Sequence, residues 1–84
     1  MKKIIVYTMN YCPYCVATKK LLTLKGLPFE EVLVDENDDA TWMRLEKQTG
    51  YKTMPQIFIG DDFIGGYKDL EALAQSGGLE ARVK

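Results

Sequence analysis

The two cysteines of this chain lie in one four-residue segment, Cys12-Pro13-Tyr14-Cys15. The segment follows a β-branched run (3–8) and a three-residue loop (9–11), and helix-forming residues continue to position 25. Proline suits the first position of a helix, because the N–H that it lacks would have no partner there. We therefore expect a strand-loop-helix unit, with the first cysteine at the start of the helix.

Two cysteines are too few for a small scaffold held together by disulfides, so the chain must fold around a hydrophobic core. Its residues are 46% hydrophobic and 27% charged, which excludes a disordered or low-complexity protein. A chain of 84 residues buries only roughly 60–65% of its extended surface and has no room for a second core. We expect a single domain spanning residues 1–84.

Hydrophobic patterns and turn residues predict the element order β-α-β-α-β-β-α. A helical crossover should make the first two strands parallel, and turn residues at 60–62 should make the last two a hairpin. The predicted fold class is therefore α/β, with one mixed four-stranded sheet flanked by helices. Trp42 and Met43 are expected in the core, and the tail 79–84 is expected to add one further turn. The predicted elements are strands at 3–8, 29–34, 56–59 and 63–64, and helices at 13–25, 39–49 and 67–76.

The charge balance excludes several classes of partner. Eleven basic and twelve acidic residues give a net charge of −1, with no basic stripe that would grip nucleic acid. The longest apolar run, Ile4 to Tyr7, is far too short to span a bilayer. We expect a soluble, cytoplasmic monomer with no nucleic-acid or membrane partner.

The chain has no histidine, which excludes a histidine general base and Cys-His or Ser-His-Asp catalysis. Two thiols are too few to close a four-ligand structural zinc site. The acidic run 35–39 is interpreted as a solvated loop that ends in a helix cap, because the glycine and distal glutamate of a calcium loop are missing. No metal site is expected, and the remaining candidate chemistry is that of the two thiols.

Cysteines at positions i and i+3 of a first helical turn share one face, with a Cα separation near about 5–6 Å that a disulfide tolerates. Cys12 should face the unpaired N–H groups and the positive end of the helix dipole. That position lowers the pKa of a thiol from ~8.5 toward ~3.5–7.5. Cys15, one turn further on, should be more buried. The spacing therefore predicts that Cys12 attacks a disulfide and that Cys15 resolves the intermediate.

Three sequence blocks together resemble the dithiol glutaredoxins over essentially the whole chain: Cys12-Pro13-Tyr14-Cys15, Thr53-Met54-Pro55, and Gly65 to Leu70 (Gly-Gly-Tyr-Lys-Asp-Leu). The resemblance implies a thioredoxin-like fold and a cis peptide bond between Met54 and Pro55. It also implies a glutathione-disulfide oxidoreductase, with reduced glutathione as electron donor and no permanently bound cofactor. The expected substrates are glutathione mixed disulfides and protein disulfides.

Carried over by position, the resemblance implies a glutathione site beside the cysteines. Tyr14 would line the groove at the sulfurs, and the Met54 backbone would pair with the cysteinyl unit. The Asp69 carboxylate, with the backbone of residues 66–68, would receive the γ-glutamyl end. Lys52 would supply a cation, since Met9 stands where the family usually has lysine. The candidate binding residues are Tyr14, Lys52, Thr53, Met54, Pro55, Gly66, Tyr67, Lys68 and Asp69.

Two other functions stay open at this stage. The first is a redoxin that thioredoxin reductase reduces and that donates electrons to ribonucleotide reductase. Met9 and the Tyr67-Lys68 pair favour this alternative. The second is a carrier of an iron–sulfur cluster held through Cys12 and glutathione. Pro13 argues against it, because family members that hold clusters generally have a smaller residue there.

Overall fold

The computed structural model describes residues 1–84 and contains four strands and four helices. In chain order these are β1 (Ile4–Thr8), α1 (Pro13–Leu24), β2 (Glu30–Leu33), α2 (Asp39–Thr49), β3 (Gln56–Ile59), β4 (Asp62–Gly65), α3 (Tyr67–Gln75) and α4 (Gly78–Val83). The predicted order β-α-β-α-β-β-α is present, and one short helix follows it.

The four strands form one sheet in the order β2-β1-β3-β4. β1 and β2 are parallel, whereas β1 with β3 and β3 with β4 are antiparallel, which confirms the predicted mixed sheet. Because Tyr7 lies opposite Gln56, the end of β1 is beside the start of β3. β4 runs in the same direction as β1 and also ends there. Three segments therefore meet at one end of the sheet: the loop before α1, the loop before β3 and the turn before α3.

The sheet separates two buried clusters of side chains. One cluster joins the sheet to α1, α3 and α4 and contains Ile4, Val6, Leu22, Ile57, Ile59, Leu70, Ala74, Leu79 and Val83. The other contains Cys12, Cys15, Val34, Leu45, Met54 and Phe58. Alternate residues of β1 point to opposite faces of the sheet. Ile4 and Val6 belong to the first cluster, whereas Ile5 and Tyr7 pack against the second. Both cysteines are thus part of the core on the α2 side.

Helix α1 begins at Pro13 and ends at Leu24, one residue short of the predicted end. Gly26 follows with φ +70°, a left-handed conformation in which a side chain is strained. This glycine lets the chain turn back toward β2. The helix therefore starts and stops where proline and glycine predict.

Helix α4 is longer than the single turn expected of the tail. Leu79 and Val83, four residues apart, are both buried in the first cluster, so the segment gains from folding as a helix. The Lys2 backbone N–H also donates a 2.6 Å hydrogen bond to the Val83 carbonyl oxygen. The end of α4 is thereby fixed to the strand end opposite the cysteines.

Two smaller predictions were wrong. Met43 is 61% exposed and does not belong to the core, because α2 directs Leu45 and part of Trp42 toward the sheet instead. Asp62 belongs to β4, so the hairpin turn consists of Gly60 and Asp61 alone. None of the helices combines the length and the apolar character that crossing a membrane would require.

Candidate active site

Cys12 is the N-cap residue of α1. Its Sγ accepts a 3.1 Å hydrogen bond from the backbone N–H of Cys15, which has no partner inside the helix. Pro13 occupies the first helical turn, as predicted. The preceding residue, Tyr11, is fully exposed and has φ +57°, an uncommon conformation for an aromatic residue. The loop thus turns sharply to place the Cys12 sulfur at the positive end of the helix.

Cys12 and Cys15 form a disulfide, and their Cα atoms are 5.2 Å apart. This separation agrees with the distance expected for cysteines at i and i+3. Cys15 is 2% exposed and Cys12 9% exposed, so the second cysteine is the more buried, as predicted. The structure therefore represents the oxidised dithiol, with Cys12 on the solvent side.

The loop before β3 brings Met54 to the cysteines. The Met54-Pro55 peptide bond is cis, and the Met54 carbonyl oxygen lies 3.6 Å from the Cys12 sulfur. A ligand attached to that sulfur would lie beside the backbone of Met54. The arrangement suits the pairing of an extended peptide with the Met54 backbone.

Gln56 holds this loop in place. Its side chain is fully buried, and its Nε2 donates to the carbonyl oxygens of Tyr51 and Thr53, both at 3.2 Å. Its Oε1 lies 3.0 Å from the Thr49 hydroxyl, which can donate to it. Sequence analysis assigned Gln56 only to a strand. The available signal was a buried-strand position occupied by a polar residue, which requires partners.

A groove of about 160 Å³ lies between the loop before β3 and the start of α3, with Met54, the neighbour of Cys12, in its lining. Eight residues line it, and all eight belong to the set that the resemblance implies for glutathione binding. They are Tyr14, Thr53, Met54, Pro55, Gly66, Tyr67, Lys68 and Asp69. The structure thus brings together side chains from two distant segments and from α1.

Asp69 lines this groove from the first turn of α3. Its Oδ2 accepts hydrogen bonds from the Gly66 backbone N–H at 3.0 Å and from the Tyr51 hydroxyl at 3.1 Å. The hydrogen bond to the Asp69 carboxylate raises the pKa of the Tyr51 phenol. Gly65 has φ +124°, and a Cβ there would collide with the Asp69 carboxylate. The carboxylate is therefore packed closely against the turn that begins α3.

Two tyrosine rings form a wall of the groove. Tyr14 and Tyr67 stack with their ring centroids 5.8 Å apart and their planes 17° apart. The Tyr67 hydroxyl donates to Glu71 at 3.1 Å, and this hydrogen bond raises the pKa of the Tyr67 phenol. Both tyrosines line the groove and give it an aromatic wall.

Lys52 is the one candidate binding residue that does not line the groove. Its side chain is 77% exposed, and its Nζ lies 3.8 Å from a Glu46 carboxylate oxygen. Met9, at the position where the family usually has lysine, packs partly buried against the second cluster. The groove itself therefore has Lys68 as its cationic residue and Asp69 as its anionic one.

A second, wider cleft of about 630 Å³ reaches the cysteines from the β2 side. Its charged residues, Lys19 and Glu31, form an ion pair at 3.0 Å, and Glu31 also accepts a 2.7 Å hydrogen bond from the Thr8 hydroxyl. The Thr8 hydrogen bond, and then Lys19, hold the pKa of Glu31 below its usual value. The two charges of the cleft are therefore paired with each other in this structure.

The sequence model of the glutaredoxin family matches residues 4–64, more than half of the chain. The chain belongs to the glutaredoxin family. Glutaredoxin 3 of Escherichia coli strain K12 is 43% identical over 84 residues, covering 100% of both chains. The glutaredoxin of Pseudomonas aeruginosa is 40% identical over 81 residues, covering 96% of this chain and 95% of that one.

Solved glutaredoxin structures have the same fold. A buckwheat glutaredoxin in complex with glutathione aligns with a TM-score of 0.91 at 30% identity, covering 98% of this chain and 76% of that one. The solution structure of the Brucella melitensis glutaredoxin aligns at 0.88 with 38% identity, covering 100% and 90%. The family and the thioredoxin-like fold predicted from the sequence are confirmed. This glutaredoxin is a thiol–disulfide oxidoreductase whose redox pair is Cys12 and Cys15.

Proposed function

We propose that this glutaredoxin binds glutathione in the groove between Tyr14 and Asp69 and takes its electrons from glutathione. One observation carries the proposal: Met54 and Asp69 line the same groove, and the Met54 carbonyl oxygen lies 3.6 Å from the Cys12 sulfur. Glutathione offers a sulfur, a peptide backbone and an α-ammonium group in that order. The buckwheat relative was crystallised with glutathione, which supports the same ligand here.

In the proposed reaction, the Cys12 thiolate attacks the glutathione sulfur of a protein–glutathione disulfide. The bond between the two substrate sulfurs breaks, and the protein leaves as a thiolate that takes a proton from water. A second glutathione thiolate then attacks the glutathione sulfur bound to Cys12. This releases oxidised glutathione and restores the Cys12 thiolate, so the cycle needs only one cysteine of the protein.

Protein disulfides require both cysteines. Cys12 attacks one substrate sulfur, and Cys15 then loses its proton and attacks the Cys12 sulfur. The reduced substrate dithiol leaves, and the Cys12–Cys15 disulfide seen in this structure is formed. Two glutathione molecules return it to the dithiol. The position of Cys15, buried directly behind Cys12, fits the resolving role.

The groove is tested by neutralising its carboxylate. We expect Asp69→Asn to raise the KM for a small glutathione mixed disulfide up to about fivefold, because a partly exposed ion pair contributes ~0.2–1 kcal/mol. Asp61→Asn, in the exposed hairpin turn, is the control that removes the same charge outside the groove. An unchanged KM in Asp69→Asn would place glutathione elsewhere.

The electron donor is tested by supplying the protein with NADPH and one of two reducing systems. Turnover with glutathione and glutathione reductase, and little with thioredoxin reductase, is the expected result. The reverse result would support the alternative function of a redoxin serving ribonucleotide reductase. Two observations are the reasons for testing this alternative. Position 9 has no lysine, and the Lys52 side chain is directed outward.

We also propose that the protein acts as a cytoplasmic monomer without a permanently bound cofactor. Support for the compartment comes from cysteine usage, since the only two thiols form the redox pair and must be reducible. Sedimentation of the reduced protein should give the mass of one chain. An absorbance spectrum of freshly isolated protein should lack the visible bands that an iron–sulfur cluster would produce.

A further inference from the structure

Tyr51 does not line the groove, but it links the two segments that do, the loop before β3 and the start of α3. Its backbone belongs to the loop that leads to Met54 and Pro55, and its hydroxyl donates to Asp69 Oδ2 at 3.1 Å. The ring packs edge-to-face on Phe63, with centroids 4.9 Å apart and planes at 83°. The side chain therefore links the loop before β3 to the first turn of α3.

The backbone of Tyr51 is also held by hydrogen bonds. Its N–H donates to the Thr49 hydroxyl oxygen at 3.1 Å, and its carbonyl oxygen accepts from Gln56 at 3.2 Å. Gln56 also holds the Thr53 carbonyl, the last one before Met54. The Tyr51 hydroxyl consequently has a defined position relative to the Met54 backbone.

The Asp69 carboxylate is oriented by two donors on one oxygen. Oδ2 receives both the Gly66 N–H and the Tyr51 hydroxyl, which leaves Oδ1 free of bonds within the protein. A carboxylate held in this way can accept a hydrogen bond from a ligand cation on Oδ1 without first changing its own geometry. Such prior ordering lowers the entropy cost of binding.

We propose that Tyr51 is a positioning residue that sets the separation between the Met54 backbone and the Asp69 carboxylate. That separation would select γ-glutamyl-cysteine compounds over other cysteine peptides, because only the former reach both groups. The inference rests on the proposed binding of glutathione in the groove. The hydroxyl, and not the ring, is the part of Tyr51 that makes the connection.

The experiment compares two mixed disulfides with the same leaving thiol, one of glutathione and one of cysteinylglycine, which lacks the γ-glutamyl unit. We expect Tyr51→Phe to raise the KM for the glutathione compound up to about fivefold, no more than Asp69→Asn does, because the hydroxyl acts only through the Asp69 carboxylate. The kcat and both parameters for the cysteinylglycine compound should stay unchanged. Tyr7→Phe is the matched control, since the Tyr7 ring packs on Phe58 and the hydrogen bonds to Asp69 come from Tyr51 and Gly66 instead.

A double-variant cycle separates positioning from general structural damage. In an Asp69→Ala background the Tyr51 hydroxyl has no carboxylate to orient. Tyr51→Phe should therefore cause no further rise in the KM for the glutathione compound there. Equal losses with both mixed disulfides, or the same loss in the Asp69→Ala background, would overturn the role of Tyr51. If the unaltered protein does not prefer the glutathione compound at all, the proposed groove fails. If the preference survives Tyr51→Phe, only the inference about Tyr51 fails.

Discussion

The backbone N–H of Cys15 donates a 3.1 Å hydrogen bond to the sulfur of Cys12. In the reduced protein the same N–H faces the atom that must carry negative charge to attack a disulfide. A hydrogen bond to the charged form of a group favours that form, and the helix dipole acts in the same direction. We therefore expect the geometry that caps α1 also to activate Cys12 as a nucleophile.

We expect the pKa of the Cys12 thiol to lie well below the ~8.5 of an ordinary cysteine. The rate of alkylation of Cys15→Ser against pH should show a midpoint below about 7. Cys12→Ser, which keeps only the buried thiol, is the control and should lack this midpoint. A midpoint near about 8.5 in Cys15→Ser would show that the cap does not activate Cys12.

Cys15→Ser should retain the removal of glutathione from a small mixed disulfide and lose most reduction of protein disulfides. The first reaction needs one attack by Cys12 and release by a second glutathione, whereas the second needs Cys15 to resolve the intermediate. Cys12→Ser should be inactive in both assays. The measurement is the initial rate with each substrate class. Loss of both activities in Cys15→Ser would contradict the assigned roles.

Gln56→Leu should destabilise the protein and weaken glutathione binding together. The variant removes the donors to the Tyr51 and Thr53 carbonyls, which should lower the free energy of unfolding by about 1–3 kcal/mol. The loop that carries Met54 should become less ordered, so the KM for glutathione mixed disulfides should rise. Urea unfolding and steady-state kinetics measure the two effects. Gln48→Leu, on the exposed side of α2, should change neither appreciably.

Lys52 and Met9 test how the glycyl carboxylate of glutathione is bound. Met9→Lys should lower the KM for glutathione mixed disulfides up to about fivefold, since its ammonium can extend to solvent from a partly buried position. Lys52→Ala should raise the KM, and more strongly with Met9 than with lysine at position 9. Both effects should shrink as the salt concentration rises.

The four variants formed by these two changes should be measured at two salt concentrations. Lys52 is paired with Glu46, so Glu46→Gln provides a further comparison in which Lys52 is released. Equal KM values throughout would show that neither position contacts glutathione. The redoxin reduced by thioredoxin reductase would then become the leading alternative.

Glu31 should make stability depend on pH in acid. Its pKa is lowered in the folded state by the Thr8 hydroxyl and by Lys19, so its contribution is present above the unfolded value of 4.5. The contribution is lost as the pH falls through the lower, folded pKa. Glu31→Gln should therefore be less stable than the unaltered protein at pH 7, with the difference shrinking in acid. Glu30→Gln, on the same strand, controls for the loss of one charge.

Urea unfolding of these three proteins from about pH 7 down to about pH 2.5 gives the comparison. A difference between Glu31→Gln and the unaltered protein that stays constant below pH 4.5 would contradict the ionic role of Glu31. It would then follow that the packing of the side chain, and not its charge, supports the pair of strands β1 and β2.

Local sequence signals predicted the features of the site that depend on neighbouring residues. Pro13 and Gly26 correctly marked the ends of α1, and the spacing of Cys12 and Cys15 predicted a pair close enough to form a disulfide. Family resemblance added the groove residues, because three separated blocks matched at once. The meeting of these blocks at one sheet end follows from strand directions that the crossover and hairpin rules predict.

Contacts between distant residues escaped prediction. Tyr51 and Asp69 are 18 positions apart, and no local pattern indicates that a loop tyrosine will meet a helix carboxylate. The exposure of Met43 depends on which side of α2 faces the sheet, which a short stretch with few apolar residues does not define. The same limit applies to α4, where the burial of Leu79 and Val83 and the hydrogen bond from Lys2 to Val83 stabilise six helical residues.

The hydrogen bond from Lys2 to Val83 places the two chain ends next to each other, at the end of the sheet away from the cysteines. A partner protein fused at either end would therefore leave the disulfide open to substrates. A short linker between residues 84 and 1 would also span the gap, so new ends could be opened in the hairpin turn at Asp61, which is exposed. The fold is therefore suited to circular permutation.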